Sequence, residues 1–218
     1  MDEDLAIINK NTRNERIKNF FIKNKKYLII ILSLIILIIF FYFAYGEVQD
    51  RKTKSLSEKY NSIVVNFEIN NKQIFKKELV EIINTKDETY SPLALYFIID
   101  NDIQSSSEEI NKFFDIIINE VSLDKEIKNL IIYKKGLYNA DFETENNLIT
   151  ILKPIINSDS IWKSHALYLI AEYFFDKNQK QKAKEFFNQI VSNEKSNEKI
   201  VLESQKRLLR IWFEGMLQ

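Results

Sequence analysis

Four short segments recur along the chain at a nearly constant interval. Ile82-Ile83-Asn84, Ile117-Ile118-Asn119, Ile155-Ile156-Asn157 and a softened copy, Ile190-Val191-Ser192, are offset by 35, 38 and 35 residues. Other positions travel with them. Three residues before each stand Leu79, Phe114, Leu152 and Phe187, and seven before stand Phe75, Ile110, Leu148 and Ala183. Positions spaced 0, 4 and 7 share one face of an α-helix, so each segment closes an amphipathic helix with the same buried stripe. A second helical pattern precedes each copy, as in Leu167, Ile170, Ala171 and Phe174 ahead of the fourth. A period of about 35 residues holding two helices predicts a helical solenoid, in which each unit buries its apolar face by stacking on the next. Three Gly and two Pro leave little for a turn-rich β fold. The strand preference of the abundant Ile is weaker than its 3.6-residue spacing.

A second feature sets the setting of that solenoid. Tyr27 to Tyr45 runs 19 residues without a charge, interrupted only by Ser33. As a helix it reaches about 28 Å, enough to cross the hydrocarbon core of a bilayer. Tyrosines at its two ends suit the interfacial belts. A cleaved signal peptide fits less well, because the run is too long, acids lie in the 26-residue lead, and Phe43-Ala44-Tyr45-Gly46-Glu47 is a poor cleavage site. A retained membrane helix over residues 27–45 is expected. Arg13, Arg16, Lys18, Lys23, Lys25 and Lys26 precede it, against Arg51, Lys52, Lys54 and Lys59 after it. That bias places the basic segment 1–26 in the cytoplasm and the domain 46–218 outside it. The domain holds 24 basic and 27 acidic residues, a formal charge of −3. With no polybasic face for lipid headgroups, it is expected beside the membrane rather than on it.

Within 46–218 the helical segments read in order. The stretch from Gly46 to Glu68 either continues the membrane helix or forms a loose polar stalk. The next helix is "KQIFKKELVEIINT". Ser91-Pro92 reads as a cap with proline at the first helical position, opening "PLALYFIID". Ser105 to Ser107 cap the next helix, with Glu108 and Glu109 in its positive first turn. "DKEIKNLIIYKKGLYN" and "ETENNLITILKPIIN" form a third pair, where Pro154 should kink the second helix or end it early. "IWKSHALYLIAEYFF" and "KQKAKEFFNQIV" form a fourth. "EKIVLESQKRLLRIWFE" reads as the cap that hides a solenoid's last apolar face.

Leu167, Ile170, Ala171, Phe174, Ala183, Phe187 and Ile190 are spaced as the hallmark positions of a tetratricopeptide repeat. Gly136 falls at the small-residue position of the third repeat. Ile63 and Ile98 hold it in the first two, a departure that implies wider hairpins there. The fold class expected is therefore all-α: one transmembrane helix, then a tetratricopeptide-like solenoid of about four hairpins and a capping helix. The plan of basic lead, single membrane helix and four-repeat body resembles the YfgM-like family, ancillary subunits of the bacterial SecYEG translocon. The passage "PIINSDSIWKSHALYLIAEYFFDKNQKQKAKEFF" is similar to proteobacterial members of that family. The resemblance implies a single-pass protein of the bacterial inner membrane with a periplasmic domain. It also implies partners at the SecYEG translocon and a membrane-anchored, prolyl-isomerase-like chaperone.

Residues that carry chemistry are sparse. The chain has one histidine, His165, and no cysteine, so neither a transition-metal site nor a thiol nucleophile is expected. His165 lacks a neighbouring hydroxyl and acid on its own helix face, since Ser164 points elsewhere. Three scattered glycines cannot build a phosphate loop. Zero net charge leaves no footprint for nucleic acid. No catalytic residue, cofactor or small-molecule substrate is expected. What remains is surface for protein partners.

In a tetratricopeptide stack the first helix of each pair lines a groove at about one position per turn. Carried onto this sequence, that geometry names Tyr60, Val64, Phe67, Leu95, Ile99, Tyr133, Leu137, His165, Tyr168 and Glu172 as a candidate partner-binding groove. The set is rich in tyrosine and aliphatic side chains and lacks Lys and Arg, which suits apolar or amphipathic segments. In a tightly wound solenoid the same side chains would instead be core. The sequence reads as a membrane-anchored scaffold, an ancillary factor at the translocon linking it to periplasmic chaperones. Its rival is an envelope scaffold for cell-division or cell-wall machinery on the same fold.

Overall fold

A computed structural model describes residues 2–67, 72–103 and 105–216, with side chains from Lys18 onward. Among the described residues there are nine α-helices and no strand. The chain divides into two compact units, Met1–Ser55 and Leu56–Gln218.

The first unit is helical along its described length. Helix α1 spans Asp2–Asn66, with no break at Gly46, so residues beyond the apolar run are helix rather than loose stalk. Between Lys18 and Asn66 its most apolar window reaches a mean hydropathy of 3.0, and none of that window is buried. The helix is long and apolar enough to cross a membrane. Ser33, the one serine in the run, donates to the carbonyl of Ile29 at 2.9 Å. Its polarity is thus absorbed within the helix.

The second unit takes the last turns of α1 and eight further helices: α2 (Lys72–Asn84), α3 (Tyr90–Asp100), α4 (Ser107–Glu120), α5 (Lys125–Asn139), α6 (Glu145–Ile156), α7 (Lys163–Asp176), α8 (Lys180–Val191) and α9 (Glu198–Met216). Each helix from α2 onward packs on its successor, and some on the next but one. The recurring positions are what fill the space between them. Leu79, Ile82, Ile117, Leu152, Ile155, Ala183, Phe187 and Ile190 are all fully buried, and Phe114 and Leu148 nearly so. The core forms two clusters, one from Ile63 to Ile131 and one from Ile132 to Ile190, meeting at adjacent residues of α5.

Several polar contacts fall near the same interval, while others, such as Lys135 to Asp115 and Asn111 to Asn139, join helices closer in sequence. Lys76 to Glu109, Ser160 to Glu126, Lys182 to Glu145, Asn197 to Ser164 and Arg207 to Glu172 are separated by 33, 34, 37, 33 and 35 residues. Contacts at one period mean that equivalent turns of successive helix pairs lie side by side.

Packing within the pairs tightens along the chain, from α3–α4 through α5–α6 to α7–α8. The small residues account for this. A Cβ added to Gly136 on α5 would stand 2.5 Å from Leu152 Cδ2 on α6. Ala171 and Ala183 are both fully buried on α7 and α8, whereas α3 carries Ile98 at the corresponding place.

Helix ends explain how so few glycines suffice. Lys86, Asp102 and Asn178 hold left-handed backbone, with φ of 58°, 48° and 58°, just beyond α2, α3 and α7. After α3, the amide of Ile103 donates to Ile98 and that of Asp102 to Ile99; after α7, Gln179 and Asn178 donate likewise to Phe174 and Phe175. Both are Schellman closures of the last turn.

The start of α3 differs from expectation. Ser91 is not its cap: the helix begins at Tyr90, and the Asp87 carboxylate accepts from the amides of Thr89 and Tyr90. Ser91 is buried and donates to the carbonyl of Ile82, also bonded by Thr85 Oγ1. Ser106 does cap α4, accepting from Glu109, and Asp124 and Thr144 cap α5 and α6. Helix α6 passes through Pro154 and stops at Ile156.

Helix α9 also departs from expectation. It lies against α7 and α8, yet Leu202, Leu209, Trp212, Phe213 and Met216 remain more than half exposed. It covers one apolar face of the stack and presents another.

Candidate partner-binding surface

The ten residues expected to line one groove separate into several environments. Tyr60 and Phe67, on and just after the last turns of α1, converge on Phe97 of α3, with ring centroids at 6.3 and 5.1 Å. Tyr90 and Phe75 complete this cluster at 5.8 Å from Tyr60 and 5.5 Å from Phe67. Burial raises the Tyr60 hydroxyl above its ordinary pKa, and the Asp100 carboxylate pushes the same way.

Leu95 is fully buried in the core, so it is a packing residue and not a groove residue. The helix turns Leu95 inward with Ala94 and Ile98, and Leu93 is the exposed residue of that stretch. Ile99 is partly buried and lines a recess of about 260 Å³ with Ile98, Ile103, Ile110 and Tyr138. Val64 and Leu137 are the exposed members, at 40 % and 46 %.

On α5 and α7 a second cluster forms. Tyr133 stacks on Trp162 at 5.9 Å and meets His165 edge-on at 6.0 Å, while Trp162 and His165 stand 5.2 Å apart. Burial lowers the His165 pKa, opposed by a hydrogen bond to the backbone of Ile161, and burial raises that of Tyr133. Neutral imidazole among aromatic rings is a packing group here, with no hydroxyl or acid aligned to it by any hydrogen bond.

Tyr168 packs on Phe187 at 5.7 Å. Glu172 receives Arg207 of α9, with Nη2 to Oε2 at 2.6 Å. The Arg207 guanidinium also covers the Phe175 ring at 5.0 Å, beside Arg210 at 5.3 Å. The surface read as lacking Lys and Arg therefore does hold an arginine, contributed from one period further along.

Phe97, Trp162 and Arg207 were not legible as members of this surface. Phe97 and Trp162 join it through contacts across repeats, which spacing along one helix does not encode. Arg207 did carry a signal, since it follows Glu172 by one period of 35 residues.

A separate cleft of about 730 Å³ runs between α4, α5 and α6, lined by Asn111, Asp115, Lys135, Glu143, Asn147 and Ile151, with Phe142 half exposed at its edge. Lys135 spans it to Asp115 at 2.7 Å, and Asn111 and Asn139 exchange amide hydrogen bonds at 2.8 and 2.9 Å beside it. None of the ten expected residues lines this cleft.

Compared with known proteins, the chain matches no family model, no curated protein and no solved structure.

Proposed function

We propose that this protein is a single-pass, membrane-anchored scaffold whose helical body binds other proteins. The observation that carries the reading is the pairing of two features in one chain: an apolar helix with none of its hydrophobic window buried, and a stacked helical unit with its own cores. For a helix so exposed and apolar among the described residues, a bilayer is the solvent it suits. The tetratricopeptide type of solenoid is supported by the small residues at the close approaches, Gly136, Ala171 and Ala183. Contacts at one repeat period support it further.

The partners proposed are the SecYEG translocon and a membrane-anchored, prolyl-isomerase-like chaperone, with the body in the periplasm of a bacterial inner-membrane protein. The support is the sequence plan and the basic flank before the apolar run. Tethering raises the body's effective concentration beside membrane partners without any new contact. Val64 and Leu137, the exposed members of the expected surface, are the places to look.

Photocrosslinking from Val64 and Leu137 in intact membranes tests the reading, with buried Leu95 as the negative control. Translocon or chaperone adducts from the exposed sites support it. Adducts with division or cell-wall proteins alone would move the assignment to an envelope scaffold. A reporter fused after Gln218, active only outside the cytoplasm, tests the topology.

A further inference from the structure

Helix α9 occupies the place of the first helix of a further pair. Arg207 contacts Glu172 at 35 residues' separation, and Asn197 contacts Ser164 at 33. At the 35-residue offset Leu202 and Leu209 correspond to Leu167 and Phe174 of α7. Those two are 2 % and 1 % exposed, because α8 lies over them. Leu202 and Leu209 are 52 % and 58 % exposed. Trp212, Phe213 and Met216 prolong the same stripe, with the two aromatic rings edge to face at 5.0 Å.

Three candidates could cover this stripe. A helix seated as α8 sits on α7 would need the small or apolar surface of Ile170 and Ala171. Gln205 and Lys206 stand there in α9, both exposed, and would be trapped in such an interface. A second copy of the chain meets the same obstacle. A lipid surface has no such requirement. Fluid acyl chains accept an irregular apolar stripe, and Lys206 can extend its ammonium to the headgroups while its stem stays apolar. Lys199, Lys206 and Arg210 lie along one edge of the stripe, Lys206 bonded to Glu203 and Arg210 to Glu214.

We infer that the outward face of α9 rests in the headgroup region of a lipid bilayer, with Leu202, Leu209, Trp212, Phe213 and Met216 as its apolar contacts. The inference rests on the anchor reading, since α1 is what brings a bilayer within reach. It replaces the expectation, drawn from a net charge of −3, that the body stands clear of the membrane. The attraction is burial of an apolar stripe rather than charge, so it persists in high salt.

The native chain has no cysteine, so a single label can be placed at will. Full-length protein carrying Met216→Cys, labelled with an environment-sensitive fluorophore, is reconstituted in phosphatidylethanolamine–phosphatidylglycerol vesicles. Lys184→Cys on exposed α8 is the matched control. The expected result is blue-shifted emission, quenched by nitroxide-bearing lipids, at 216 and water-like emission at 184. Adding Leu209→Glu and Phe213→Glu should abolish the shift at 216 while helical circular dichroism is kept. Water-like emission at 216 in protein that survives alkaline carbonate extraction overturns the inference and leaves the anchor reading standing. A shift that grows with protein-to-lipid ratio and resists lipid-borne quenchers overturns it in favour of a second copy. Loss of the protein on carbonate extraction overturns the anchor reading, and this inference with it.

Discussion

Arg207 Nη2 lies 2.6 Å from Glu172 Oε2, joining α9 to α7 across one repeat period, with both side chains mostly shielded from solvent. The second oxygen of Glu172 is sealed and has no partner of its own. Arg207 is the charged partner of this carboxylate, the Tyr168 hydroxyl interacts with both groups, and the guanidinium also loses its seat on Phe175 if it is replaced. Arg207→Met should destabilise the body by about 1–2 kcal/mol, because a shielded charge is left unpaired. Glu172→Gln alone should cost less, and the double variant should recover part of the loss. Denaturant melts of the four proteins in detergent give the cycle; strictly additive losses would show that the pair is not coupled.

Gly136 and Gly215 offer a contrast within one chain. Both are helical, and alanine in an open helix is favoured over glycine by about 1 kcal/mol. Nothing lies within 4 Å of a Cβ at Gly215, so Gly215→Ala should be neutral or stabilising. At Gly136 the added carbon would press on the fully buried Leu152 side chain at 2.5 Å. Overpacking of that kind costs about 1–3 kcal/mol, so Gly136→Ala should forfeit the helical gain and Gly136→Val should lower Tm by several degrees. An increase in Tm for both alanine variants would refute a close α5–α6 approach.

His165 makes stability depend on pH in a stated direction. Burial among Tyr133 and Trp162 lowers its pKa below the ordinary 6.5, against a smaller opposing hydrogen bond to Ile161. Between the two values the unfolded chain binds more protons than the folded one. Its contribution is therefore whole above pH 6.5 and is lost as pH falls through the folded value. His165→Phe should flatten that part of the Tm profile between about pH 7.5 and 5. A profile of unchanged slope would place the imidazole in water.

Tyr96 should behave unlike most buried tyrosines. Its hydroxyl is sealed without a partner, and burial, aided by Asp100, pushes its pKa to about 12. Tyr96→Phe removes a polar atom that bonds nothing, so stability should hold or rise by up to about 1 kcal/mol. The linkage has the opposite sense from that of His165. With the folded pKa above the ordinary 10.0, stability is whole below pH 10 and is lost as pH rises toward 12. Comparison of wild type and Tyr96→Phe in alkaline melts reads both effects, and a loss of stability on substitution would reveal a hydrogen bond to that oxygen.

Much of the architecture was legible along the chain because it is periodic. Leu79, Phe114, Leu152 and Phe187 recur at intervals near 35 residues and all four are buried. Burial at i, i+4 and i+7 is a local property of a helix, so a sequence displays it directly. Caps were legible where the capping side chain is adjacent, as at Ser106 with Glu109. At Ser91 the same local rule failed, because a hydroxyl between two packed helices found the carbonyl of Ile82 instead. The candidate surface was legible only in outline. Positions facing a neighbouring pair were identified, but whether that neighbour covers them depends on the distance between pairs. Tyr60 and Phe67 meet Phe97, Leu95 is enclosed, and Val64 and Leu137 stay open.

By itself, the sequence determined that this protein is helical, that buried apolar positions recur at intervals near 35 residues, and that one helix is apolar enough for a bilayer. These properties are written in spacing and composition over a few turns. Only the tertiary structure decided that Arg207 neutralises Glu172 and that Trp162 closes over His165. It also decided that α9, while covering α7 and α8, turns a second apolar stripe outward. Those outcomes depend on which side of each helix its neighbours leave uncovered, a matter of relative rotation and separation that no single helix records.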